Sequence, residues 1–281
     1  MTNHCVVTFI CPDRPGIVYA ISGAIVSMKG NITESQQYSS PDTGTFFMRI
    51  QVESALRPDE LARALDAVAR RFGGSVQVDE VGRRMRTLIL VSTAGHCLNA
   101  LLTHARTGTL PITVPLVLSN HPDLAPLARF HQVKFESRAV AAATKAQFED
   151  RVRQIVEDHD IELVVLARYM QILSSELCDW LGSRAINIHH SFLPGFKGAN
   201  PYRQARSRGV KLIGATAHFV TADLDEGPII DQSVVRVDHS KSVADLREMG
   251  EDVESVTLTR AVKLFAQHRV LLDGVRTVVF D

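Results

Sequence analysis

The order of elements predicts an α/β chain in two parts: a ferredoxin-like βαββαβ unit, then a Rossmann-like unit with a mainly parallel sheet. Three observations carry this expectation. Up to Gly82, short β-branched runs alternate with two stretches of helical periodicity. A charged cluster, Gly82-Arg83-Arg84-Met85-Arg86, then interrupts the pattern. Beyond it, short continuous apolar runs are separated by helical segments, which is how strands buried on both faces read. The expected domains are therefore 1–82 and 83–281.

In the first unit, Cys5–Cys11 is a strand stopped by Pro12 and Pro15. Ile17, Ile21, Ala24, Ile25 and Met28 recur at helical spacing, and Gly30 follows as a stop. Asn31–Ser39 and Thr45–Val52 form a hairpin around Pro41-Asp42-Thr43-Gly44. Pro58 opens a second helix whose Leu61, Leu65, Val68 and Phe72 make one apolar stripe. Gly73-Gly74 ends it, and Ser75–Val81 closes the unit as a strand.

In the second unit, strands are expected at Thr87–Ser92, Thr113–Ser119, Ile161–Ala167, Ala185–His190, Leu212–Val220 and Ile229–Val237. All of them are expected to continue one parallel sheet. Helices are expected at about His96–Arg106, Pro122–Phe130, Lys145–His159 and Ser242–His268, with a terminal hairpin turning at Asp273-Gly274.

Composition excludes several classes. The chain has 281 residues, 45% of them hydrophobic and 22% charged, enough apolar material for packed cores. Its 31 Lys+Arg balance 31 Asp+Glu, so no basic excess exists to bind nucleic acid or an anionic membrane. The longest apolar runs are strand-length, far short of the roughly 18 residues a membrane span needs. No basic segment precedes the first apolar run, so no signal peptide is expected. Cysteines at 5, 11, 97 and 178 make neither CxxC nor a disulfide framework. A cytoplasmic location is expected.

The chemistry concentrates in two stretches. Asn187-Ile-His-His-Ser-Phe-Leu-Pro-Gly-Phe-Lys-Gly198 begins at the C-terminal end of a predicted strand, where α/β folds place ligands. Strand alternation puts Asn187 and His189 on one face. An amide beside an imidazole can donate two hydrogen bonds to one developing oxyanion. Gly214–Val220 then carries His218, and Asp225 follows in the next loop. Together they supply an amide, imidazoles and a carboxylate, the parts for acyl chemistry without a covalent intermediate. No HxxxH or HExxH helix gives His189, His190, His218 and Asp225 a metal-ligand spacing. No metal is expected.

These motifs resemble the folate-dependent formyltransferase superfamily, and the whole chain resembles its formyltetrahydrofolate deformylase family. The resemblance rests on Asn187-x-His189 followed by Leu193-Pro194-x-Phe196-Lys197-Gly198, with Asp225 seven residues beyond His218. It implies that Asn187, His189 and Asp225 are catalytic. It implies that Arg168-Tyr169-Met170-Gln171-Ile172-Leu173 reads the pterin ring, making Met170, Gln171, Ile172 and Leu173 substrate contacts. His218 is expected to hold Asp225 or a water, and Lys197 to meet the anionic folate tail.

Ser119-Asn120-His121-Pro122-Asp123 resembles the loop near the acceptor side in amine-using relatives. The N-terminal unit resembles an ACT domain, with Asp13, Arg14, Gly16 and Asn31 as regulatory contacts. By itself, Asp13 reads equally as a helix cap. The resemblance further implies hydrolysis of 10-formyltetrahydrofolate, with the folate as substrate and no cofactor. An amino-acid effector (glycine or methionine) and a homo-oligomer, dimer or tetramer, are expected. The alternatives are formyl transfer to an amine and a non-catalytic folate or amino-acid sensor.

Overall fold

A computed structural model describes residues 2–195 and 201–281. The chain divides into two compact units, 1–83 with 264–281, and 84–263. The sequence reading placed everything after the linker in the second unit. The structure returns the C-terminal stretch, Leu264–Asp281, to the first.

The first unit runs β1 (Asn3–Pro12), α1 (Ile17–Ser27), β2 (Asn31–Ser40), β3 (Thr45–Ser54), α2 (Pro58–Phe72), β4 (Ser75–Glu80). Its four-stranded antiparallel sheet has the order β2-β3-β1-β4. One face is covered by α1 and α2, through Ile17, Ile21, Ile25, Leu61, Leu65 and Phe72. The left-handed Gly73 (φ 68°) ends α2, as its sequence position predicts. Gly74 then passes so close to β1 that a Cβ would lie 2.2 Å from the Ile10 carbonyl oxygen.

The second unit runs β5 (Met85–Val91), α3 (His96–Thr107), β6 (Ile112–Thr113), β7 (Leu116–Ser119), α4 (Ala125–Phe130), β8 (Lys134–Ser137), α5 (Lys145–Asp158), β9 (Leu163–Leu166), α6 (Ser175–Leu181), β10 (Ala185–His189), α7 (Pro201–Arg208), β11 (Leu212–Phe219), β12 (Ile229–Arg236), α8 (Val243–Ala266). The hairpin β13 (Val270–Asp273) and β14 (Arg276–Val279) follows and belongs to the first unit. There it places Leu271 and Phe280 against Phe47, on the sheet face opposite the helices.

The main sheet of the second unit has the order β12-β11-β10-β9-β5-β7-β8, with the short β6 beside β5. Strands β8, β7, β5, β9 and β10 are parallel. The expectation that β11 and β12 extend the parallel run is corrected. Both pair antiparallel, β11 with β10 and β12 with β11. No helix joins β11 to β12, and without a crossover consecutive strands can pair only antiparallel. The sequence reading also lacked β8, α6 and α7. They are short, and β8 is a half-exposed edge strand with little apolar signal.

Candidate active site

The site lies where β10 ends between β9 and β11. Asn187 and His189 sit two residues apart on β10, as alternation predicts. Across the antiparallel ladder Asn187 faces His218 on β11. The loop 220–228 then carries Asp225 back over the strand ends. Its backbone is demanding at two points. Asp225 is left-handed (φ 59°), unusual for a non-glycine residue. A Cβ on Gly227 would lie 1.8 Å from the Phe219 carbonyl oxygen, so only glycine lets the loop close onto β11.

Hydrogen-bond geometry fixes the protons of His218. Its Nδ1 lies 2.9 Å from the Phe219 carbonyl oxygen, which can only accept, so Nδ1 carries the hydrogen. Burial pushes the ring below its ordinary pKa and keeps it neutral. Its Nε2 therefore accepts from Asn187 Nδ2 at 3.2 Å, orienting the amide with its other N–H free. With the ring neutral, the 3.7 Å approach of His218 Nε2 to Asp225 Oδ1 is a contact between acceptors.

His189 differs. Its Nδ1 lies 3.2 Å from Asp225 Oδ1. The His189 hydrogen bond, ahead of the opposing cost of burial, holds the Asp225 carboxyl below its ordinary range. Asp225 is ionised, so Nδ1 is the donor. The far nitrogen, Nε2, is buried and has no hydrogen-bond partner among the described residues. A buried orphan of this kind is costly unless a ligand satisfies it. His190 stacks on His189 with centroids 4.8 Å apart. It is pushed down to about 4 by burial, Arg168 and His189, and so is neutral.

A cavity of about 650 Å³ collects the expected residues. Asn187, His189, His218 and Asp225 line it together with Met170, Gln171, Ile172 and Leu173. Met170 and Ile172 stay more than half exposed, an apolar edge open to a ligand. The Met170 N–H is anchored to Ser92 Oγ at 3.0 Å, and Ser92 Oγ to Asn120 Oδ1 at 2.7 Å. Lys197 lies outside the described residues, as do Phe196 and Gly198 of the same motif.

In the first unit, Asp13, Arg14 and Gly16 lie between β1 and α1, and Asn31 begins β2. Gly16 is the N-cap of α1 without a side-chain cap, so the capping role for Asp13 is corrected. Arg14 reaches the Arg71 carbonyl at 2.5 Å and lies 4.7 Å over the Phe72 ring.

The cavity lining also includes Glu254 and Tyr202, which the sequence does not single out. Glu254 of α8 is buried and meets His96 Nε2 at 2.7 Å, Tyr202 Oη at 2.8 Å and Arg168 Nε at 3.3 Å. A signal existed. Glu254 shares the buried face of α8 with Leu258 and Ala261, and a carboxylate on such a stripe marks a partnered charge. His96, Cys97 and Glu254 offer ligand atoms within 4.8 Å of one another. However, His96 and Glu254 are spent on each other, and the adjacent Arg168 guanidinium does not suit a cation.

The chain is similar to known proteins along its whole length. The Formyl transferase family profile matches residues 85–262, and the ACT domain profile matches residues 6–70. The formyltetrahydrofolate deformylase of Corynebacterium sp. (strain P-1) is 44% identical over 277 residues, 98% of this chain and 97% of that protein. The crystal structure of formyltetrahydrofolate deformylase from Burkholderia mallei superposes with a TM-score of 0.95, 48% identity and coverage of 99% and 100%. Glycinamide ribonucleotide transformylase 1 from Symbiobacterium toebii shares the fold at TM-score 0.66 and 33% identity, but 97% of it matches only 72% of this chain. Two family profiles in tandem, and relatives that match from end to end, leave one assignment: the chain belongs to the formyltetrahydrofolate deformylase family.

Proposed function

We propose that the chain hydrolyses 10-formyltetrahydrofolate to formate and tetrahydrofolate, with Asn187, His189 and Asp225 as its catalytic residues. The observation that carries this is the orphaned His189 Nε2, buried beside a free Asn187 N–H and backed by an ionised Asp225. A formamide resists water because resonance stabilises its ground state, so the barrier falls only if the tetrahedral adduct is stabilised.

In this reading Asp225 holds the attacking water and takes its proton. The water oxygen bonds to the formyl carbon, and the carbonyl oxygen becomes an oxyanion. That oxyanion accepts from Asn187 Nδ2 and from His189 Nε2, which carries the ring's second proton. Each such donor is worth a factor of about 10²–10³ in rate. The C–N10 bond then breaks as N10 takes back the proton held by Asp225, and the formic acid released loses its hydroxyl proton to solvent and leaves as formate. The folate enters over Met170–Leu173, with His218 fixing the Asn187 amide. No metal or organic cofactor takes part in this scheme.

The finer assignments belong to the same proposal. Cytoplasmic work in one-carbon and purine metabolism is supported by four unpaired, buried cysteines and by the folate substrate. The ACT unit is read as binding a small amino-acid effector, glycine or methionine, near Asp13–Gly16 and Asn31. A homo-oligomer, dimer or tetramer, is supported by exposed Tyr19 and Val26 on α1 and by the edge strand β2. Nucleic acid is not a partner in this reading, given the neutral net charge. Among the described residues no helix is long and apolar enough to cross a membrane.

The test is incubation with 10-formyltetrahydrofolate, with and without glycinamide ribonucleotide, following tetrahydrofolate and formate. Stoichiometric formate without an amine supports hydrolysis. Turnover that requires the amine would make the chain a transferase, and no turnover either way would favour a sensor.

A further inference from the structure

Two rows of residues cross the sheet of the second unit at the site. One joins Asn187 to His218, and the scheme above uses both. The next joins His189 of β10 to Thr216 of β11 and Gln232 of β12, each directly opposite its neighbour in the ladder. Residues opposed in this way share one face of a sheet. Thr216 and Gln232 therefore stand on the face that carries His189, and the scheme uses neither.

Thr216 is fully buried, which is costly for a hydroxyl unless it is hydrogen-bonded. It is bonded to capacity. Its Oγ1 donates to the Ser191 carbonyl oxygen at 2.9 Å, and accepts from the Leu193 N–H and from Gln232 Nε2, each at 3.0 Å. A hydroxyl has one hydrogen and two lone pairs, and all three are spent here. Gln232 Nε2 also donates to the Leu193 carbonyl oxygen at 3.1 Å. The turn itself is closed by the Gly195 N–H on the Phe192 carbonyl at 2.9 Å and by Ser191 Oγ on the Gly195 carbonyl at 2.8 Å. β10 ends at His189, so from Ser191 onward two side chains of the neighbouring strands take over the backbone.

The segment held in this way leaves directly from His189. His190, between the strand end and the held Ser191 carbonyl, stacks its ring on that of His189 with centroids 4.8 Å apart. The His189 ring is otherwise fixed by Asp225, 3.2 Å from Nδ1. A single hydrogen bond leaves an imidazole free to tilt about it. The direction in which the chain leaves β10, and the stacked His190 ring, remove that freedom.

We propose that Thr216, supported by Gln232, is a positioning residue for the hydrolysis: by clamping Ser191 and Leu193 it fixes the exit of the chain from β10, and so the aim of His189 Nε2 at the oxyanion. The proposal rests on the hydrolytic reading given above. It assigns a role in turnover rather than in folate binding, because Met170–Leu173 make none of these bonds.

The experiment measures kcat, KM for 10-formyltetrahydrofolate and thermal unfolding on the full-length protein. The variants are Thr216→Val, Thr216→Ser and Gln232→Met, with Thr216→Val and Gln232→Met made also in a His189→Ala background. Thr216→Val keeps the shape but removes all three hydrogen bonds, and should lower kcat by about 10²-fold with KM within about threefold, the effect of a displacement near 1 Å. Thr216→Ser restores the hydroxyl and should return kcat close to wild type. Gln232→Met, at a half-buried position, should lower kcat by about tenfold, and carries the test if Thr216→Val fails to fold. In the His189→Ala background either change should cost less than about twofold, because a residue that acts through His189 then has nothing left to position. An unchanged kcat in Thr216→Val would overturn the proposal while leaving the hydrolysis intact. So would a Thr216→Ser variant no better than Thr216→Val, equal losses in both backgrounds, or losses confined to KM. A wild type that releases no formate without an amine would overturn the functional reading, and this inference with it.

Discussion

The two units differ in how completely their buried polar groups are partnered. In the first, Arg49 is 3% exposed between sheet and hairpin, paired with Glu34 at 3.0 Å, and Glu34 also meets Arg269 at 3.2 Å. Nearby, Asp79 is held by His268 at 2.9 Å and by Arg83 at 2.6 Å. All buried side-chain nitrogens and oxygens of this unit find hydrogen bonds among the described residues. Around the cavity of the second unit, His189 Nε2 and Arg168 Nε do not. A satisfied network fixes a fold, whereas a buried polar atom left without any partner in a cavity, as His189 Nε2 is, marks a place for a ligand. In this cavity the unpartnered His189 Nε2 lies among the residues expected to be catalytic.

That contrast can be broken from either side. The largest effect is expected for Asp225→Asn, which keeps the shape and removes the base. The rate of formate release should fall by about 10³–10⁴, within the range for a lost general base, with the melting temperature nearly unchanged. Wild-type activity should persist to acidic pH, because the carboxyl lies below its ordinary range and is protonated only as pH falls through that lowered value. A variant that unfolds instead would place Asp225 with the structural charges.

Next comes Phe280→Ala, which empties the contact of the terminal hairpin with Phe47. A loss of about 3–5 kcal/mol in the first unit is expected by denaturant unfolding. A cost near zero would detach the hairpin from that core. Asn187→Ala follows, with kcat reduced about 10²–10³-fold if its amide meets the oxyanion. Unchanged kcat with raised KM would make it a binding group only.

The smallest effect is expected for Asp79→Asn. Burial pushes this carboxyl up, but hydrogen bonds from His268 and Arg83 outweigh it and bring it well below the ordinary range. A depressed folded-state pKa gives stability that is present above the unfolded value, about 3.9, and is lost as pH falls below it. The variant should therefore be less stable by about 1–3 kcal/mol at pH 7, with the gap closing below about pH 4. A gap that does not change with pH would remove the ion pairs from the explanation.

Legibility in the sequence followed the range of the signal. The first unit's elements were readable because proline, glycine and apolar spacing act within a few residues, as Pro58 and Gly73 do at the ends of α2. Asn187, His189, His218 and Asp225 were readable because they lie on two neighbouring strands and the loop that follows. Glu254 was not. Its partners His96, Arg168 and Tyr202 are scattered along the chain, and no local pattern links a helix interior to three distant places.

By itself, then, the sequence determined the two-part α/β class, most elements and the residues at the end of β10. Periodicity and alternation are local consequences of backbone geometry. Only the tertiary structure decided that β11 and β12 run antiparallel, that Leu264–Asp281 rejoins the first unit, and that Glu254 meets its three partners. Strand direction, chain return and buried charge pairing depend on which surfaces meet when the core closes, and those surfaces come from residues far apart in the chain.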